Sequence, residues 1–151
     1  MFIICLFWNF SFAETENEKS IGLLLGDPVA LSLRIPVKEK TFMDFRAGIW
    51  TWHFWHDQNY NTPYLSVDYA WLFSNFYAGI GAAFFFADNP KDENDYPMCA
   101  AIRFPLGRKI YTKEIFSLVF EFTPVYQIAP VYNFKPYIFE LNGGLMIRHF
   151  F

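Results

Sequence analysis

Charged side chains recur in this chain inside segments that are otherwise apolar, and their spacing limits the chemistry open to them. Arg34, Asp44, Arg46, Asp68, Arg103, Glu121, Glu140 and Arg148 each interrupt a run of apolar, small or aromatic residues. Four cations and four anions on one face are expected to neutralise one another if enclosed, because an unpaired buried charge costs several kcal/mol. The expected pairs are Arg46 with Asp68, Arg103 with Glu121, and Arg148 with a neighbouring carboxylate. Ion pairing that fills an interior is the favoured role for this set. A proton or ion path along the same charges is the alternative.

Other constellations are weaker. His53, His56 and Asp57 lie together but beside Trp50, Trp52 and Trp55, so an aromatic rim is expected there rather than a metal site with a fixed ligand set. Asp88, Asp92, Glu93 and Asp95, interrupted by Lys91, lack the spacing of a calcium loop and read as a solvated connection. Ser66 and Asp68 could approach His53 or His56 at an outer rim, as in a lipid-modifying hydrolase. No motif holds them as a nucleophile–base pair. With no catalytic, metal or cofactor residues assigned, the chain is expected not to be an enzyme and to need no cofactor. Cys5 and Cys99 build no disulfide framework. A net charge of −3 with scattered Lys and Arg gives no nucleic-acid signal.

The elements that position the charges are strands. Period-two alternation runs through about eight segments, Ile21–Gly26, Ala30–Val37, Thr41–Trp52, Tyr64–Phe73, Asn75–Phe86, Pro97–Leu106, Glu114–Tyr126 and Lys135–Phe151, with no helical stripe. Short connections at Val37–Lys40 and Phe73–Asn75 alternate with long ones at His53–Pro63, Ala87–Tyr96 and Gln127–Phe134. Gly107–Lys113 is expected to be a connection as well, and Gly26-Asp27-Pro28 a tight turn.

One face of these strands is bulky: Leu31, Leu33, Phe45, Ile49, Leu65, Trp71, Ile80, Phe84, Phe104, Phe120 and Phe122 belong to it. The other is small or charged, with Ser32, Gly48, Ser66, Ala70, Gly79, Gly81, Ala83, Ala101, Ser117 and Asn142 beside the eight charges. An eight-stranded barrel has an interior just wide enough to be filled by side chains. The small and charged set fits inside; the bulky set is expected outside, against hydrocarbon, since in water it would aggregate. The fold expected is therefore all-β, an eight-stranded antiparallel up-and-down transmembrane barrel with a narrow lumen, not a general porin. A soluble calycin-like barrel carrying a small apolar ligand would need the two faces exchanged.

Twenty Phe, nine Tyr and five Trp exceed what a core of this size holds, and membrane interfaces accommodate such a surplus. Trp50, Trp52, Trp55, Tyr60, Tyr64, Trp71, Tyr96, Tyr126 and Phe151 are expected to form the two girdles. No uncharged run of about 18 residues offers a spanning helix. Residues 1–13 (MFIICLFWNFSFA) are apolar with Ser11 and Ala13 before a polar stretch at 14–20, which resembles a secretory signal peptide without its positive start. The barrel is expected over 21–151.

Several short motifs point to a family: Ile21–Pro28 (IGLLLGDP), Val67–Trp71 (VDYAW), Tyr77–Ala82 (YAGIGA), Ala101–Gly107 (AIRFPLG), Phe120–Pro124 (FEFTP) and Leu141–Phe151. In this order they resemble the small spirochaete-type outer-membrane β-barrel family, similar in architecture to the OmpA transmembrane domain. The resemblance implies eight strands in the cell outer membrane, surrounded by outer-membrane lipid, with loops that meet an extracellular ligand. It also implies a C-terminal signal for the barrel-assembly machinery at Ile147, His149 and Phe151, with His149 standing where that signal often has an aromatic. A structural or surface-interaction role follows.

Overall fold

The alternation becomes strand throughout the described part of the computed structural model, residues 18–51, 61–86, 98–113, 115–129 and 139–151. The strands are β1 (Ser20–Asp27), β2 (Val29–Lys38), β3 (Thr41–Thr51), β4 (Asn61–Phe73), β5 (Phe76–Phe86), β6 (Met98–Arg103), β7 (Leu106–Lys113), β8 (Phe116–Ala129) and β9 (Phe139–Phe150). Neighbours pair antiparallel, and β9 pairs back onto β1 with Ser20 opposite Phe150. Closure satisfies the edges that an open sheet would expose.

β6 and β7 are two halves of one stave. On β5, Gly81 faces Arg103 and Ala78 faces Leu106 in unbroken register. On β8, Val125 faces Arg103 and Phe122 faces Leu106. The ladder lapses at Phe104–Pro105 because proline has no N–H to donate. Gly79 N still donates to Pro105 O at 2.9 Å, and Phe104 N to Pro124 O at 2.9 Å. The barrel is therefore eight-stranded.

The sixth stave corrects one sequence expectation. Gly107–Lys113 is largely strand, not connection, with Leu106–Lys113 forming β7 and a turn at Ile115 instead. Gly107 reads as turn chemistry, yet here it makes room inside the barrel. A Cβ at Gly107 would lie 2.2 Å from the ring of Tyr77.

Short turns at Glu39–Lys40, Ser74–Asn75 and Ile115 share one end of the barrel with Ser20 and Phe151. This is the turn end. β3, β5 and β8 end, and β4, β6 and β9 begin, at the opposite end, where β1 and β2 also meet at Pro28. Starting at Ser20, the hydrogen-bonded row passes Arg34, Asp44, Asp68, Gly81, Arg103, Val125 and Glu140. The β9–β1 register extrapolates from Glu140 to position 30, so the row that began at residue 20 returns ten residues along. Such a stagger tilts the strands and carries one row from the turn end towards the other.

Two faces result. Leu23, Leu31, Leu33, Phe45, Ile49, Leu65, Ile80, Phe104, Phe120 and Phe122 are exposed on the convex side, while Arg34, Asp44, Arg46, Asp68, Arg103, Glu121 and Arg148 are buried inside. Among the described residues no helix is long and apolar enough to cross a membrane.

Candidate functional site

Asp44 on β3 and Glu121 on β8 are the hubs of the lumen. β3 and β8 lie on opposite sides of the ring, so their side chains meet only by spanning it. Arg46, two residues after Asp44 and on the same face, makes that span. Its Nη1 and Nη2 donate to the two carboxylate oxygens of Glu121, the second at 2.7 Å. Nη2 also donates to Asp44 Oδ2 at 3.1 Å, and Nε lies 3.7 Å from Asp68 Oδ2. A forked pair of this kind fixes geometry as well as charge.

The remaining arginines close on the same carboxylates. Arg103 Nε lies 3.0 Å from Asp68 Oδ1, its Nη2 donates to Glu121 at 3.3 Å and its Nη1 to Ser66 Oγ at 3.0 Å. Arg148 reaches from β9 to donate to Asp44 Oδ2. Arg34 Nη2 is 3.9 Å from the same oxygen. Its guanidinium lies over the Phe42 ring at 3.6 Å and the Tyr77 ring at 4.9 Å, a favourable place for a desolvated cation. Neutral groups complete the shell: Ser32 Oγ donates to Asp44, and Tyr77 Oη and Thr123 Oγ1 donate to Glu121.

Local sequence explains why the carboxylates fit. Gly81 faces Asp68 across the β4–β5 ladder, and a Cβ there would lie 2.1 Å from Asp68 Oδ1. The missing side chain is the space the carboxylate uses.

Above and below the charges the lumen turns aromatic. Away from the turn end, the Trp50 and Phe85 rings lie 4.4 Å apart and Tyr64 and Phe85 5.4 Å apart. Towards the turn end, Phe42 and Tyr77 meet edge to face at 5.3 Å, with Leu72 and Phe150 also buried. The interior is thus a charged middle between two aromatic plugs.

The structure brings Arg34, Asp44, Arg46, Asp68, Arg103, Glu121 and Arg148 into one connected cluster. The expected Arg46–Asp68 and Arg103–Glu121 contacts are present. Arg148 finds its carboxylate on β3, across the lumen and not on an adjacent strand. Glu140 lies away from the turn end and accepts a hydrogen bond from Gln127 Nε2 at 3.3 Å. Ile147, His149 and Phe151 share the outer face of β9, with His149 opposite Ile21 on β1 and Phe116 on β8.

Two expectations need correction. Trp50 and Tyr64 are not girdle residues; each is 1% exposed and faces the lumen. Both follow the parity of the charges on their own strands, which puts them inside. Ser66 and Asp68 likewise point into the lumen, where Ser66 accepts from Arg103, and not to an outer rim. Trp71, Tyr126 and Phe151 do face outward. Trp52, Trp55, Tyr60 and Tyr96, the His53–Asp57 group and the acidic Asp88–Asp95 segment lie outside the described residues. Among the described residues no cluster of His, Cys, Asp and Glu could hold a metal ion.

The sequence reading places Ser32 on the inner face but does not single out the neutral partners Tyr77 and Thr123 or the plugs around Phe42 and Phe85. Counting by two from Asp44 reaches Phe42, from Gly81 reaches Tyr77 and Phe85, and from Glu121 reaches Thr123. No family model, curated protein or solved structure matches the chain.

Proposed function

We propose that this protein is an integral outer-membrane β-barrel of the small spirochaete type, with a structural or surface-interaction role and no general porin activity. One observation carries the reading: the large apolar side chains stand on the convex face while the arginines and carboxylates are inside. Burying seven charged side chains on the concave face and presenting phenylalanine and leucine outside suits a wall wetted by hydrocarbon. A calycin-like carrier has the opposite requirement, an apolar cavity and a polar exterior. The aromatic plugs and the Arg46–Glu121 bridge fill the middle and both ends of the described lumen with side chains, which argues against bulk solute passage.

On this reading the convex face meets outer-membrane lipid. The connections opposite the turn end meet an extracellular ligand, and the outer face of β9 around Ile147, His149 and Phe151 serves the assembly machinery. The test is extraction and gel mobility. The protein should sediment with membranes, need detergent for release, and run faster unboiled than boiled. Recovery in the aqueous fraction with a single band under both conditions would remove the membrane reading and favour the soluble carrier.

A further inference from the structure

We propose that the outer wall of β1–β5 binds one anionic phospholipid, its acyl chain in an apolar groove and its headgroup at the lysines of the turn end. The inference rests on the membrane reading above and adds a particular lipid class and place to it. A groove of about 590 Å³ runs over the convex face, with Ile21, Leu31, Phe45, Ala47, Leu65 and Phe84 among its lining residues. Ala47 is the cause of the depression: it stands between Leu31 on β2 and Leu65 on β4 in one hydrogen-bonded row, where a larger residue would level the wall. Because the strands tilt, the lining climbs from Ile21, one residue inside β1 at the turn end, to Phe84, near the far end of β5. That rise follows the direction in which an acyl chain lies.

The charge at the lower mouth selects the headgroup. Among the described residues every Lys and Arg outside the lumen lies at the turn end, Lys19, Lys38, Lys40, Arg108 and Lys113, where they outnumber the carboxylates Glu18 and Glu39. Lys19 is exposed and shares the parity of Ile21, so it stands directly beneath the groove, with the exposed His149 across from Ile21. Lys38 ends β2 and Lys40 lies in the neighbouring turn to β3, with Glu39 between them. An anionic surface attracts each such cation within a Debye length. The connections leaving the other end carry Asp57, Asp88, Asp92, Glu93 and Asp95 against Lys91 and Lys135, so the sequence there offers no matching attraction. The occupant is thus a phospholipid of the leaflet at the turn end.

The full chain, refolded into vesicles of phosphatidylcholine with a minor share of phosphatidylglycerol, is extracted in mild detergent and its retained lipid counted by native mass spectrometry. One phosphatidylglycerol should be retained in preference to phosphatidylcholine. Ala47→Phe, on the outer surface, should lose it while unboiled gel mobility stays fast. Lys19→Gln with Lys38→Gln and Lys40→Gln should keep a lipid but lower the preference roughly fivefold per lysine. Retention in proportion to the vesicle composition, or an Ala47→Phe protein that retains phosphatidylglycerol like the parent, would overturn the inference and leave the membrane reading standing. A chain that does not insert into these vesicles at all would overturn both.

Discussion

Asp44 and Phe45 are neighbours in sequence and opposites in surroundings: the first is 0% exposed among three arginines, the second 40% exposed on the convex wall. The same contrast recurs at Glu121 beside Phe120 and Phe122. In a water-soluble barrel the two kinds of side chain would trade places. Here the inner face is held by directional contacts whose loss leaves a charge stranded. The outer face is held by whatever solvent tolerates it. Substitutions on the two faces should therefore fail for different reasons.

The largest effect is expected inside. Glu121→Ala removes the carboxylate that Arg46 and Arg103 share and leaves an excess of buried cations, and should cost about 3–5 kcal/mol in urea unfolding of the reconstituted barrel. Replacing Arg46 and Glu121 together by Met and Leu should recover most of that loss, because no unpaired charge remains at that bridge. A double variant as unstable as Glu121→Ala would mean that the bridge is not what the carboxylate is there for. Outside, Phe120→Arg or Ile80→Arg should cost roughly 2–4 kcal/mol at mid-depth in lipid. A cost near zero would show that water already wets that face. Gly81→Ala crowds Asp68 and the Val67 carbonyl and should cost about 1–3 kcal/mol in the same unfolding assay. The smallest change should come from Phe73→Leu, which loses only the stacked contact with Phe76 at the turn end, worth about 0.5–1.5 kcal/mol.

Which parts of this contrast were legible in sequence follows from how local each signal is. Alternation is a nearest-neighbour property, and it located the strands and assigned Arg46, Asp68 and Phe120 to their faces. Arg103 and Glu121 sit on adjacent staves, so their contact could be anticipated from strand order. The Arg148–Asp44 contact could not: it crosses the lumen between β9 and β3 and depends on the stagger of the closed barrel, which no local pattern encodes. Trp50 and Tyr64 look like girdle residues by their aromatic character, but their positions two steps from Gly48 and Ser66 put them inside. The sixth stave was cut short because Gly107 reads as a turn until Tyr77 is seen to occupy its missing side chain.

Solvent on the convex wall is the decisive quantity, and it can be read one position at a time. A nitroxide placed by Phe120→Cys, in a chain whose own cysteines are serine and which is reconstituted in vesicles, reports whether oxygen or a water-soluble nickel chelate relaxes it more strongly. Oxygen should dominate there, and at Ile80→Cys as well. Dominance of the nickel chelate at both positions would mean that water bathes the phenylalanines and leucines, and the account would be wrong at its root.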